Sequence, residues 1–489
     1  MKKLIKLVYR PDLDNWKESC KEALEELFGS PNGRYPAKAT KVYKLRAPFM
    51  SGGKGVSFAA LVHPSNPDSG PYGGMSFVLF PIEDGPCLIT MIIGTQGLSP
   101  DEQVLGRPGH ARKAAAICDW LNHKYGSGKM VAWAKQDPVR TEIRIPKNIE
   151  HQFAKYSSVF SRYGGELYAT YAPNSNKKGT EDALKSFLDL MFEERNQYPL
   201  AGYADDSERI KKEYYSYLLP DIAKSEMKAL LDERRFVIVE GPPGTGKTRM
   251  ALQLIKDDYQ GNGKSIQFHP NTTYENFVGG LAPVNTDDEM GFKFAPVKGF
   301  LMDAVEKARN NPKENYLLHI DEINRSDLAK VLGEAIFLFE ADEEEKREID
   351  LSYDFGEGFN NKLKLPKNMY VLGTMNTADR SIAILDVAIR RRFAFQKLWP
   401  QMEVVEEYGC ETMQRAFREL VAIFIEYAND DSLSLIPGHS YFLEKDEGKS
   451  VQYLKVHLIP LLEEYLMQGY VASFSDAIRG YIQWINALN

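Results

Sequence analysis

Two kinds of apolar patterning divide this chain. Up to about residue 172, strand-like apolar runs at 74–80 and 87–93 alternate with a stretch of helical spacing at 110–121, which predicts a mixed α/β domain. Residues 173–180, Pro-Asn-Ser-Asn-Lys-Lys-Gly-Thr, have linker composition, and a helical connector is expected from 181 to about 224. From about 226 the pattern changes. Short continuous apolar runs at 236–239, 265–268, 316–320 and 369–374 are separated by long helical or irregular stretches, which predicts a parallel sheet covered by helices. Beyond Pro400 the strand-like runs stop. Phe417, Leu420, Val421 and Phe424 fall at i, i+3, i+4 and i+7, and 456–466 is again apolar, so a small helical lid is expected. The expected organisation is therefore an N-terminal α/β domain at 1–172, a linker and connector at 173–225, an α/β core at 226–400 and a lid at 401–489. Residues 281–294 read as a hairpin set before a helix.

Composition narrows the class. The 489 residues are 43% hydrophobic and 26% charged, as in globular proteins. No stretch approaches the roughly 20 apolar residues of a membrane span, and Lys6 and Arg10 interrupt the first apolar run, so a cytoplasmic protein without a membrane partner is expected. Cysteines 20, 87, 118 and 410 form no CxxC pair and suggest neither a zinc site nor a disulfide framework. The net charge of -7 is unevenly spread: residues 1–165 carry 23 Lys+Arg against 15 Asp+Glu, leaving 38 against 53 in the rest. A basic front suggests contact with a polyanion.

The chemistry concentrates in the second half. Gly241, Pro242, Pro243, Gly244, Thr245, Gly246, Lys247 and Thr248 fit GxxxxGK[ST] between an apolar run and a helical one. Glycines there let backbone N–H groups close around phosphates, Lys247 reaches the terminal phosphates, and Thr248 is placed to ligate magnesium. About 75 residues on, the run 317–320 ends in Asp321 and Glu322, carboxylates suited to holding the metal and polarising water. The run 369–374 ends in Met-Asn-Thr-Ala-Asp-Arg-Ser, 375–381. A strand lying between those of the phosphate loop and of Asp321 would put the Asn376 amide beside the γ-phosphate and the water. Arg390, Arg391 and Arg392 supply planar guanidinium forks that can stabilise a transferring phosphoryl group from a neighbouring subunit; on a basic helix the same run could bind nucleic acid.

This ordered set resembles the AAA+ family of ring-forming NTPases, and within it the McrB branch. The resemblance is carried by Gln267-Phe-His269, Tyr274-Glu-Asn-Phe277, Asp321-Glu-Ile-Asn-Arg325, the 375–381 stretch, Leu385-Asp386, Arg390-Arg-Arg-Phe393, Gly438-His-Ser-Tyr-Phe442 and Pro460-Leu-Leu-Glu-Glu-Tyr465. It covers roughly residues 230–470. It implies a GTPase that forms a hexameric ring, uses GTP (or ATP) with Mg²⁺, hydrolyses nucleotide between subunits, and drives a partner of the McrC type carrying a nuclease, with DNA chosen by the N-terminal domain. Glu322, Asn376 and the three arginines are then catalytic. Asp379 joins the nucleotide-binding residues and, with Arg380, orients the loop and the neighbouring subunit. Relatives of the MoxR type share the architecture, use ATP and remodel proteins; a recognition module gated by nucleotide is a third reading. Many members place an arginine at the start of a lid helix; here His439 stands in that region, to contact nucleotide or to pack.

The front domain is less readable. Lys38, Lys41, Lys44 and Arg46 interleave with Tyr35 and Tyr43, so bases could meet phosphates while rings stack on nucleobases; an alternating half-exposed strand gives the same string. Arg107-Pro-Gly-His110 before a helix could bind an anion or be a solvated loop, and Asp137 with Glu142 only faintly matches a nuclease carboxylate spacing.

Overall fold

The computed structural model describes residues 1–29, 33–51, 55–285, 291–340, 347–378, 385 and 387–488. The chain divides into two compact units, Met1–Leu219 with Ala422–Asn429, and Pro220–Val421 with Asp430–Asn489.

The first unit is built on a six-stranded antiparallel sheet in the order β1 (Lys44–Phe49), β2 (Phe58–Val62), β3 (Met75–Ile82), β4 (Gly85–Ile93), β6 (Leu167–Tyr171), β5 (Ala132–Ala134). Strands β3 and β4 form a tight hairpin with Ile82 opposite Gly85, and both are buried on the two faces, which explains their unbroken apolar runs. Helix Pro108–Tyr125 covers the predicted 110–121, and helix Lys177–Glu193 is buried almost throughout, with Asp182, Lys185 and Asp189 among its buried residues. Burial of these charges is tolerable because they are paired: Asp189 accepts from Arg34 Nε at 2.7 Å, Tyr35 Oη at 2.5 Å and Ser207 Oγ at 2.9 Å.

That network corrects the reading of the basic and aromatic string. Tyr35 and Tyr43 are fully buried, the latter ring 5.3 Å from that of Phe192, so neither is a stacking platform for a base. Arg46 is also buried, its guanidinium 4.7 Å from the Tyr72 ring centre, whereas Lys38 and Lys41 stay exposed. The anions held near residue 107 are the protein's own. Arg107 and Lys113 both bind the carboxylates of Glu194 and Glu426, at 2.5–3.0 Å. Asp137 caps the Val139 N–H and Glu142 pairs with Arg140, so both carboxylates are engaged locally.

The second unit contains a five-stranded parallel sheet in the order β15 (Ala394–Lys397), β7 (Phe236–Gly241), β14 (Met369–Asn376), β11 (Tyr316–Asp321), β8 (Gly263–Gln267). Its inner strands are apolar on both faces, as a sheet with helices on each side requires. The expected hairpin forms from β9 (Gly279–Asn285) and β10 (Phe292–Lys298), and a short ladder joins β12 (Ile349–Asp350) to β13 (Lys362–Leu363). In the acidic run at 340–348, residues 341–346 lie outside the described residues. Glu340 is only 20% exposed in its side chain and faces Arg347, Arg391 and Arg392 at 3.3–3.6 Å. The lid helices include Glu411–Tyr427, Glu447–His457, Ile459–Met467 and Ser475–Ala487; the expected helix at 456–466 is thus interrupted at Leu458, and a new helix starts at Ile459 with Pro460 in its first turn.

Register decides where the chemistry meets. Asn376 pairs with Gly241 across β14 and β7, and Ile320 pairs with Gly373 across β11 and β14. The carboxyl ends of β7, β14 and β11 therefore lie side by side, with β14 in the middle as expected, at the edge where open α/β sheets bind ligands.

Candidate nucleotide site

The loop 241–248 leaves β7 and enters helix Lys247–Gln253. Gly244 and Gly246 both have φ of 81°, a region costly for any residue with a Cβ. Lys247 is buried, with Nζ donating to the carbonyls of Gly241 at 2.9 Å and Pro242 at 2.7 Å. Burial lowers its pKa to about 8, against the opposing pull of Glu322 and Asp321. Thr245 is buried too, its hydroxyl tied to Pro242 O at 3.0 Å, so Gly241, Pro242 and Thr245 shape the loop through internal bonds.

Thr248 Oγ1 donates to Asp321 Oδ1 at 3.0 Å across the strand ends. Asn376 Nδ2 donates to Glu322 Oε1 at 2.5 Å. Glu322 has φ of 52° and ψ of 45°, a left-handed conformation for a side-chain-bearing residue that costs roughly 1–3 kcal/mol and concentrates at functional positions. Its Oε2 is buried and accepts no hydrogen bond among the described residues, with Arg325 Nε 3.5 Å away.

From the lid side, Gly438 N–H donates to Pro243 O at 3.0 Å and Ser440 N–H to Gly244 O at 3.0 Å. A Cβ on Gly438 would fall 2.1 Å from the Gly244 carbonyl carbon, so this approach requires glycine. His439 sits between, its Nδ1 accepting the Gln401 N–H at 3.2 Å, and burial lowers its pKa to about 4. Thr377 Oγ1 donates to Ser434 O at 2.6 Å, tying the end of the Asn376 strand to the same segment.

These groups enclose a cavity of about 360 Å³ lined by Gly244, Lys247, Thr248, Asp321, Glu322, Asn376 and His439, among others. Sequence reasoning missed Arg249, Thr374 and Leu443, which also line it. A threonine inside an apolar strand was the available signal, because a buried hydroxyl needs a partner. Asp379 and Arg380 lie outside the described residues. Arg390, Arg391 and Arg392 are not among the lining residues. The Arg390 guanidinium lies 5.2 Å from the Phe395 ring centre, the Arg391 side chain is 70% exposed, and Arg392 donates to Ala388 O at 3.1 Å.

Residues 236–393 match the family described as AAA domain (dynein-related subfamily). The fold, the phosphate loop and the flanking carboxylates define an AAA+ P-loop NTPase. The chain is 29% identical over 354 residues to the Type IV methyl-directed restriction enzyme EcoKMcrB subunit of Escherichia coli (strain K12), covering 66% of this chain and 75% of that protein. It is 30% identical over 196 residues to the Type II restriction enzyme BsuMI component YdiS of Bacillus subtilis (strain 168), covering 33% and 56% respectively. Across 66% of its length the chain is thus similar to an McrB subunit, with an AAA domain at residues 236–393. Among solved structures, a RuvB mutant from Thermotoga maritima is similar at 14% identity and a TM-score of 0.23, covering 48% of this chain and 70% of that one. Among the described residues, no helix is long and apolar enough to cross a membrane.

Proposed function

We propose that the chain hydrolyses a nucleoside triphosphate, GTP in preference to ATP, within a homo-hexameric ring, and drives an McrC-like nuclease subunit against DNA selected by the first unit. The convergence of Thr248, Asp321, Glu322 and Asn376 on one loop-lined cavity carries this reading. The donor set fits a hard divalent cation, being a hydroxyl and a carboxylate that meet at 3.0 Å and need phosphate and water to complete a shell. Thr248 and Asp321 would hold magnesium, which when bound neutralises charge on the phosphates. Backbone N–H groups of residues 243–247 cradle the phosphate chain and Lys247 faces its terminal groups. Glu322 takes the proton of the attacking water through Oε2, which accepts no hydrogen bond among the described residues and has Arg325 Nε 3.5 Å away, and Asn376 fixes that carboxylate while meeting the γ-phosphate. Asp379 orients the loop after Asn376. At least one of Arg390, Arg391 and Arg392 acts from the neighbouring subunit, which accords with their placement away from the cavity of their own chain.

The restriction-system context rests on the two relatives, both components of restriction enzymes. DNA contact rests on the basic balance of residues 1–165 and on exposed lysines such as Lys38 and Lys41, not on the buried tyrosines. One observation favours a protein-remodelling ATPase instead: the β9–β10 hairpin exposes Leu281, Phe292 and Phe294, the last at 66%. Steady-state phosphate release with GTP and with ATP, each with and without modified and unmodified DNA, separates the two. GTP-selective, DNA-stimulated turnover is expected; ATP-selective turnover indifferent to DNA would favour the remodeller.

A further inference from the structure

The described part of the second unit holds a fully buried histidine in the middle of its sheet, which the proposed chemistry leaves unused. His319 is on β11, two residues before Asp321, with no exposed surface. A buried imidazole must find partners for both nitrogens, and this one does so across three strands. Its Nδ1 lies 2.8 Å from Ser265 Oγ on β8, and its Nε2 lies 3.2 Å from Thr374 Oγ1 on β14. Thr374 Oγ1 in turn donates to Asp321 Oδ1 at 2.5 Å, the same oxygen that receives the Thr248 hydroxyl.

The direction of this chain follows from proton counting. Thr374 has one hydroxyl proton, and it is committed to Asp321, so toward His319 the threonine oxygen accepts and Nε2 carries the hydrogen. In the neutral ring Nδ1 is then an acceptor, and the Ser265 hydroxyl donates to it. Every donor in the row points toward Asp321, and Oδ1 of that carboxylate accepts two hydroxyls, those of Thr374 and Thr248. Oδ2 accepts no hydrogen bond among the described residues, and Asp321 lines the cavity. Its rotation is fixed by the row.

We propose that Thr374 and His319 are positioning residues that set the orientation of Asp321 toward a divalent cation, with exposed Ser265 as the outer anchor of the row. The proposal rests on the reading of Asp321 as the cation-holding carboxylate. It distinguishes this network from a histidine that merely fills the core, because a filler would affect stability without changing how strongly the site holds metal.

The test measures binding of a fluorescent GTP analogue to the full chain, first in EDTA and then across a Mg²⁺ titration. Thr374→Val and His319→Leu are expected to raise the half-saturating Mg²⁺ concentration about tenfold, and His319→Leu, at a residue that does not line the cavity, leaves EDTA affinity unchanged within about twofold. Thr374→Ser, which keeps the hydroxyl, restores the wild-type requirement. Ser265→Ala shifts it about threefold in the same direction, from a surface position where folding is not at stake. If His319→Leu does not fold, His319→Gln, which retains an N–H donor, is read beside Ser265→Ala. A folded Thr374→Val and Ser265→Ala with the wild-type Mg²⁺ requirement overturn the proposal alone. A wild-type chain whose nucleotide binding ignores Mg²⁺ overturns the reading of Asp321 and this proposal with it.

Discussion

Replacing Asn376 by alanine removes the Nδ2 donor that holds Glu322 Oε1 at 2.5 Å. The other oxygen of that carboxylate already accepts no hydrogen bond among the described residues, so the variant leaves Glu322 with only the longer Arg325 contact at 3.5 Å. A hydrogen bond to a charged group contributes roughly 1.5–3 kcal/mol, and about 1.4 kcal/mol of barrier corresponds to a tenfold change in rate. If the bond acts by aiming Glu322 at the attacking water, turnover falls about ten- to a hundredfold. Nucleotide affinity falls less than turnover, because only the Asn376 contact to the γ-phosphate is lost while the loop 241–248, Lys247 and the Thr248–Asp321 contact are untouched. The assay pairs phosphate release at saturating nucleotide with equilibrium binding of a fluorescent analogue. Turnover within twofold of the wild type, in a protein that still binds nucleotide, would refute the assignment of Asn376 and the idea that its bond to Glu322 matters for hydrolysis.

Further outcomes follow from the same contacts. Mixing Arg391→Ala with Glu322→Gln should restore turnover that neither has alone, since one supplies an intact cavity and the other intact arginines; no recovery would place the arginine's action within its own chain. Burial lowers the pKa of both His319 and His439 to about 4. The unfolded chain therefore takes up protons below about pH 6.5 that the fold refuses, so stability rises with pH between about 4 and 6.5 and is level above, by up to roughly 3 kcal/mol per histidine. Denaturant unfolding at about pH 5 and pH 7.5 should show a smaller difference in His439→Gln than in the wild type; equal differences would refute this. Asp189→Ala leaves Arg34 buried without its bidentate partner and should destabilise the first unit by about 3–5 kcal/mol, and a loss under about 1 kcal/mol would show that the network carries little.

The parallel sheet and the phosphate loop were legible because they depend on local patterns: short apolar runs bounded by turns, and glycines at fixed spacing. The place of the Asn376 strand between the other two was also inferable, since only that order lets an amide meet both the phosphate and the water. Side-chain partners distant in sequence were not legible. Tyr35 and Tyr43 looked like a stacking surface because alternation with lysines is a surface pattern, yet Tyr35 is committed to Asp189, 154 residues away. Likewise nothing local in the sequence links Glu340 to the arginines that face it, two of which, Arg391 and Arg392, come from a helix some fifty residues on. His319 gave no periodic signal, and its role depends on strands β8 and β14 arriving on either side of it.

The strand order has a consequence for how the protein is made. β7 is the first strand of its sheet to be synthesised, yet its neighbours are β14 and β15, which emerge more than a hundred residues later. At about 5–20 residues per second of synthesis, the apolar Phe236-Val-Ile-Val239 segment waits on the order of ten seconds for its partners. A chain cut short before residue 397 would leave that edge open as a template for aggregation. A chain that stops before β14 lacks the complete cavity, because the loop after β7, the carboxylates after β11 and the amide of β14 come together only when the last strands close around the first.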